Sequence, residues 1–313
     1  MRLAVYSDVH GNLPAMKAFI KHSVDRDVQG YEFLGDAVNY GGKPQECLDE
    51  IIKLGLVGHY KEITPFTDFS TLDRGFIESA YNGPLQGKIL LGNNDAACCG
   101  LEDPYYFSGY ARDSAVITKG NLLSEWHLRF LRGRPMAAPM NICNETADED
   151  DPDRVVTVRF NHSAPGDLVL GNWQYVKPET NMEYIEYFFE CFEERICFVG
   201  HSHIPCAFVL ADGQMFPVDF PLPTKNYDQA IISVGAVGQP RRGKTQGSYV
   251  IVDTVRKSID LEWFEYDIQK AMADILDAKL PEQNAQRLLY GKVTKKYEEP
   301  KKYDNTKSGQ IQT

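Results

Sequence analysis

The chain opens with apolar runs that alternate with helical periodicity. RLAVYS (residues 2–7) is apolar almost throughout, as a strand buried on both faces must be. Leu13, Met16, Ile20 and Val24 then recur on one helical face. YEFLGD (31–36) predicts a second strand, PQECLDEIIKLG (44–55) a second helix ending at Gly55, and KILLGN (88–93) a third strand. This βαβαβ order implies a parallel sheet with right-handed crossovers, whose functional groups gather at the C-terminal ends of the strands.

Between the second helix and the third strand, residues 56–87 are long for a plain connection and rich in aromatic residues. A lid or a specificity element is expected there. Further on, LLSEWHLRFL (122–131) has amphipathic helical spacing and VVTVRFNH (155–162) reads as a strand. The acidic run before that strand (145–153) follows no cation-loop spacing and reads as a solvated loop. A helix over 182–194 leads into RICFVGHSH (195–203). The β-rich runs that follow, down to SIDLEWFEY (258–266), suggest a second sheet of largely antiparallel strands, then a helix over 267–278. No repeat or linker divides the pattern. One domain over residues 1–290 is expected, with a lysine-rich, flexible tail from 291.

Composition narrows the function classes. An apolar fraction of 43% and a charged fraction of 25% belong to a globular chain with ample core. No apolar run reaches the length of a membrane span, and Asp8 and His10 stand where a secretion signal would need its apolar region, so a cytoplasmic location is expected. A formal charge of −11 argues against general nucleic-acid binding, which needs a basic face. It leaves room for a small phosphorylated substrate, because a local metal charge can dominate its own cleft. Seven cysteines without CxxC spacing read as free thiols, the vicinal Cys98 and Cys99 included.

The chemistry is carried by position. Asp8, His10, Asp36, Asn93, His162, His201 and His203 each follow a predicted strand, so five strand ends deliver carboxylate, imidazole or amide to one rim. A single histidine after a strand is an ordinary turn residue; seven such groups together are not. Their mixed nitrogen and oxygen chemistry suits borderline divalent ions such as Mn, Fe, Co, Ni or Zn. Seven ligands exceed one tetrahedral ion but fit two ions that share a bridging carboxylate.

SDVHGN, FLGDAVNYGG, LGNND, FNHSAPGD and VGHSHIP resemble, in order, the five motifs of the calcineurin-like metallophosphoesterase superfamily. DAVNYGGKPQECLDEI and VGAVGQPRRG resemble its small bacterial YfcE-like phosphodiesterase branch. The resemblance implies an α/β fold, a four-layer α/β/β/α sandwich of two packed mixed sheets with the metal site at the C-terminal ends of the strands. It implies that Asp8, His10 and His203 bind one metal ion, that Asn93, His162 and His201 bind the other, and that Asp36 bridges them. It also implies phosphate-ester hydrolysis by a water activated between two divalent ions. Arg241 or Arg242 could stabilise charge on the phosphoryl oxygens. Asn12 could reach substrate or cap the helix that begins there.

One position departs from the family pattern. Where the third motif commonly has a histidine that donates a proton, oriented by the next aspartate, this chain has Asn94 followed by Asp95. An amide is no general acid, though it can donate a hydrogen bond. Either the leaving group needs little protonation, which favours phosphodiesters and activated esters, or another residue such as His59 supplies the proton. A phosphomonoesterase or serine/threonine protein phosphatase is the alternative, and a protein-binding scaffold on the same fold the remaining one.

Overall fold

A computed structural model describes residues 1–143, 154–166 and 169–292, apart from 81, 82 and 84. The acidic run at 145–153 lies outside the described residues, as does the tail beyond 292. The strands are β1 (Arg2–Tyr6), β2 (Gly30–Phe33), β3 (Ala137–Cys143), β4 (Val155–Asn161), β5 (Ile196–Val199), β6 (Cys206–Ala211), β7 (Gln214–Val218), β8 (Leu222–Pro223), β9 (Gln229–Ser233), β10 (Gly247–Asp253) and β11 (Ser258–Phe264). The helices are α1 (Leu13–Val24), α2 (Pro44–Leu56), α3 (Arg74–Ala80), α4 (Asn93–Cys99), α5 (Gly109–Ile117), α6 (Glu125–Arg132), α7 (Met182–Glu190), α8 (Ile268–Asp277) and α9 (Glu282–Tyr290).

The strands form two mixed sheets, ordered β2-β1-β10-β11-β8 and β3-β4-β5-β9-β6-β7. Side-chain alternation then sorts the layers. In β1, Ala4 and Tyr6 join the core beneath α1 and α2, whereas Leu3 and Val5 face the second sheet. In β5, Ile196 and Phe198 meet the first sheet, and Cys197 and Val199 meet the core that holds α7 residues Ile185, Phe188 and Phe189. Helices, sheet, sheet and helix therefore stack as the expected α/β/β/α sandwich. Both faces of each central strand are dry, which is why β1, β5 and β10 read as nearly continuous apolar runs.

The two sheets are mixed, as the fold class implies, and three local readings of the strands are corrected. The first sheet is not purely parallel: β1 pairs parallel with β2 but antiparallel with β10, which carries β11 with it. The KILLGN segment makes only an isolated parallel bridge from Ile89 to Phe33. Its register is held by Phe33 N–H to the Lys88 carbonyl and Leu90 N–H to the Phe33 carbonyl, each at 2.9 Å. Conversely β4 and β5 run parallel within the second sheet, so that sheet is mixed too. Among the described residues no helix is long and apolar enough to cross a membrane. All seven cysteines are free, and Cys98 and Cys99 are buried in the core around α4.

Candidate metal centre and its cleft

The turns that follow β1, β2, β4 and β5 converge on one end of the sandwich, where their polar side chains are buried. Asp8, Asp36 and His162 are fully enclosed, and His10, Asn93, His201 and His203 are between 1% and 6% exposed. Asp8, His10, Asp36, His201 and His203 all have φ between 49° and 62°. This left-handed conformation is strained for residues with side chains, and its concentration here marks a site that the surrounding fold holds in place. Gly92 permits a close approach to the shared carboxylate: a Cβ there would lie 2.1 Å from Asp36 Oδ1.

Two donor sets share Asp36. Asp8, His10, Asp36 and His203 form one, and Asp36, His162 and His201 the other, the ligating atoms of each lying within 4.8 Å of one another. Asn93 Oδ1 adjoins the second set, 3.2 Å from His162 Nε2. The rings are aimed by backbone carbonyls, which accept from the other ring nitrogen and so set the tautomer. Val38 O lies 3.0 Å from His10 Nδ1, Gln239 O 2.6 Å from His203 Nδ1, and Leu34 O 2.8 Å from His162 Nδ1. His201 uses Nε2 for this purpose, 3.3 Å from the Trp173 carbonyl, which leaves Nδ1 for a ligand.

This arrangement suits cations. His10 Nε2 and His203 Nε2 face each other at 3.2 Å with both Nδ1 atoms already committed. Two lone pairs so placed repel unless a positive charge lies between them. Asp8 Oδ2 accepts from the His201 backbone N–H, whereas Asp8 Oδ1 is buried without a hydrogen-bond partner among the described residues. Its distances of 3.1 Å to His203 Nε2 and 3.7 Å to His10 Nε2 place it at the same spot. An orphaned carboxylate oxygen beside two imidazole lone pairs is a donor set for a divalent transition ion.

Charge coupling supports this picture. Burial lowers the affinity of His201 and His203 for protons, and the nearby charges of His162 for the first and Arg241 for the second lower it further, each to about 3. Both rings are therefore neutral ligands at physiological pH. Burial also opposes charge on His162, but Asp36, with Asp8 and Asp95, overrides it and raises that ring to about 9. Burial would raise the Asp8 and Asp36 carboxyls, yet the neighbouring imidazoles hold both below the ordinary range.

Asn94 grips the shared carboxylate. Its backbone N–H donates to Asp36 Oδ1 at 2.8 Å and its side-chain amide to Asp36 Oδ2 at 2.6 Å, while its own Oδ1 accepts from Asn39 Nδ2 at 2.8 Å. Asp95 is fully buried, does not line the cleft and does not orient Asn94. It accepts instead from the backbone N–H groups of Asp36, Val38 and Gly92, at 2.7, 3.1 and 3.1 Å, and so pins the two ligand-bearing turns together.

A cleft of about 970 Å³ opens over the donor sets. Asp36, Asn93, Asn94, His201 and His203 form part of its lining, and Arg241 lines it too. Its walls come from residues 101–111 and 170–175, which sequence reasoning missed. Glu102 ties the two walls together, accepting from Trp173 Nε1 at 2.7 Å and from the Gly171 backbone. Tyr175 stacks on His201 with ring centroids 4.2 Å apart.

Several expected participants lie elsewhere. The described residues of 56–87 contribute nothing to this lining; Phe66 and Phe69 instead border a recess with α1 and α2 on the outer helical face. His59 is likewise absent from the cleft, and its neighbour Gly58 lies against the Gln29 carbonyl, at the start of β2 and the far end of the sheet. Asn12 caps α1 through Ala15 N–H and donates to the Gly238 carbonyl at 2.7 Å, which engages both ends of its amide. Arg242 is exposed, pairs with Glu179 and does not line the cleft.

Comparison with known proteins decides the family. Residues 1–205 match the family described as calcineurin-like phosphoesterase. The chain belongs to the calcineurin-like phosphoesterases. It is 29% identical over 296 residues to the uncharacterized protein MJ0912 of Methanocaldococcus jannaschii, covering 93% of this chain and 98% of that one. The crystal structure of a metallophosphoesterase from Sphaerobacter thermophilus overlays with a TM-score of 0.65 at 27% identity, over 93% and 99% of the two chains. The hypothetical protein PH1004 of Pyrococcus horikoshii shares the fold, with a TM-score of 0.62 at 15% identity over 94% and 99%. This phosphoesterase is thus a phosphoric ester hydrolase of a family that works with divalent metals, and its two donor clusters could hold them.

Proposed function

We propose that the chain hydrolyses phosphate esters at a two-metal centre, with phosphodiesters and activated esters as its better substrates. The observation that carries this reading is the pair of buried donor sets sharing Asp36 at the floor of an open cleft. Asp8, His10, Asp36 and His203 would hold one ion, and Asp36, Asn93, His162 and His201 the other. Mn, Fe, Zn, Co and Ni all suit such ligands. When bound, two such ions supply Lewis acidity and an activated water for in-line attack at phosphorus.

The chain's own groups do the rest. Backbone carbonyls aim the imidazoles, Asn94 fixes both oxygens of Asp36, and Asp95 holds the turns that carry them. Arg241 faces the same cleft and stabilises charge developing on the phosphoryl oxygens. The wall formed by Tyr106, Phe107, Trp173 and Tyr175 receives the organic part of the ester and limits water. Asn94 takes the motif position at which the family resemblance would put a general acid, and its amide can donate a hydrogen bond but not a proton. Esters whose leaving group departs as an anion are favoured for that reason. A cytoplasmic location suits seven cysteines that form no disulfide.

Protein stripped with chelator and reloaded with Mn²⁺ should hydrolyse bis(4-nitrophenyl) phosphate. Metal analysis should find about two ions per chain, as the two shared donor sets require. Absence of both metal uptake and hydrolysis overturns the reading.

A further inference from the structure

Beside the cleft, and sharing Arg241 and Tyr175 with it, lies a second recess of about 450 Å³. Lys177, Arg241, Arg242, Arg287 and Lys292 line it, and among its described lining residues Glu179 is the one carboxylate. That carboxylate is already engaged: Arg242 pairs with it and Lys177 Nζ lies 3.7 Å away. The Nε atoms of Arg241 and Arg287 are buried and have no hydrogen-bond partner among the described residues. A guanidinium nitrogen that is buried and unpaired is costly, and more so where a second guanidinium of like charge stands nearby. Burial, and then the charge of Arg241, pulls Arg287 below its ordinary value, so the two groups feel one another.

The recess is coupled to the metal centre by contact. The Tyr175 ring lies flat on His201, with 5° between the planes, and Lys177 Nζ sits 5.9 Å from the centroid of the same ring. The positive charge of Arg241 is felt at both His201 and His203. An anion held by Arg241 and Arg287 would therefore lie next to a phosphoryl group being hydrolysed. Planar guanidinium forks match phosphate oxygens in pairs.

We propose that this recess is a subsite for a second phosphate group of the substrate, with Arg287 as its specificity-determining residue and Arg241 between the two subsites. The proposal rests on the phosphoesterase reading of the neighbouring cleft. It selects doubly phosphorylated substrates, in which one phosphate is hydrolysed while the other is held. Helix α9 thereby gains a role in recognition, since it brings Arg287 to the rim.

Two measurements test this. In the first, Mn²⁺-loaded protein is assayed on thymidine 3′-phosphate 5′-(4-nitrophenyl phosphate) and on thymidine 5′-(4-nitrophenyl phosphate), which lacks the second phosphate, and the ratio of the first kcat/KM value to the second is taken. Arg287→Ala should lower that ratio about tenfold, the effect of losing charge-assisted hydrogen bonds to one phosphate, and Arg287→Lys should restore part of it. An unchanged ratio overturns the proposal, because a purely structural loss lowers both values together. In the second, inorganic phosphate is titrated calorimetrically into chelator-treated protein, where the metals do not contribute. Binding should weaken about tenfold in Arg287→Ala. This arm needs no turnover, so it still decides on the recess if the phosphoesterase reading itself fails. Phosphate binding that responds to Arg287, combined with an unchanged substrate ratio, marks a free-anion site and overturns the substrate role. Thermal melts of both variants guard against misfolding, and the Lys variant carries the test where the Ala variant is unstable.

Discussion

Asn94 holds Asp36 by two hydrogen bonds, at 2.8 Å from its backbone to Oδ1 and at 2.6 Å from its side chain to Oδ2. The amide that stands in the place of the usual proton donor is thus a positioning group for the carboxylate both donor sets share. Asn94→Ala keeps the backbone bond and loses the side-chain one. Partners of this kind are worth about 10- to 100-fold in metal affinity or activity. Calorimetric titration should therefore show Mn²⁺ affinity falling by about that factor in Asn94→Ala, with kcat lower at saturating metal. Unaltered metal binding and turnover would show that the contact contributes nothing.

Selectivity for the leaving group follows from what the cleft lacks. Among the described residues its lining includes no histidine other than His201 and His203, both assigned to metals in the proposed site. With metal loading verified, kcat/KM for an activated aryl phosphodiester should exceed that for an alkyl phosphomonoester by at least about 10², the lower end of what a general acid contributes. Asn94→His should narrow this gap about tenfold or more by restoring an imidazole within reach of the leaving oxygen. Faster alkyl monoester turnover by the unaltered enzyme would sink the argument.

The residues that could be read in advance are those whose local pattern carries the whole message. Asp8, Asp36, His162 and His201 each end an apolar run, and strand ends of one sheet system must converge. The residues that could not be read depend on distant pairing. Nothing in residues 101–111 or 170–175 has a period, and they become walls because Glu102 reaches Trp173 and Gly171. Likewise β10 looks like its neighbours in sequence, yet it crosses to pair with β1, placing Val250 opposite Val5. Arg287 lies on a short helix whose polar pattern reads as surface, and only tertiary packing brings it beside Arg241. Residues 56–87 look like an appendage in sequence, but Ile63, Ile77 and Leu85 are buried in the core that holds α2, and Tyr60, Phe69 and Phe76 pack against the same core.

Metal should stabilise the fold, and Asp8 offers a test in which the signs oppose. Cations relieve the facing lone pairs of His10 and His203 and satisfy Asp8 Oδ1. At a hundredfold excess over Kd, a ligand that binds only the folded state adds about 2.7 kcal/mol, so Tm should rise by about 5 °C on adding Mn²⁺ to stripped protein. Asp8→Asn replaces a buried, unpartnered oxygen with a group that can donate to an imidazole nitrogen. The stripped variant should then melt at or above the stripped parent, while its response to Mn²⁺ is lost. A variant that melts lower when stripped yet still responds to Mn²⁺ would contradict the assignment.

Away from the site, Glu32 gives the chain a pH-dependent stability of unusual sign. It is 1% exposed on β2, and Lys88 Nζ lies 2.9 Å from its Oε1. Burial raises the Glu32 carboxyl to about 7, and Lys88 opposes the rise without cancelling it. Because the folded carboxyl binds its proton more tightly than the unfolded one, the folded state carries the extra proton between the two pKa values. Stability from this group is therefore full below the unfolded value of about 4.5 and is lost as pH rises through 7. The loss is on the order of 3 kcal/mol, from 1.36 kcal/mol per pKa unit. In Glu32→Gln nothing titrates at this position, so the window from about pH 4.5 to 8 should lose that part of its slope. Urea unfolding of chelator-treated parent and variant at a series of pH values measures the difference. It should move in favour of the variant by on the order of 3 kcal/mol between pH 4.5 and 8. Parallel profiles would place the Glu32 carboxylate in an environment that Lys88 fully compensates.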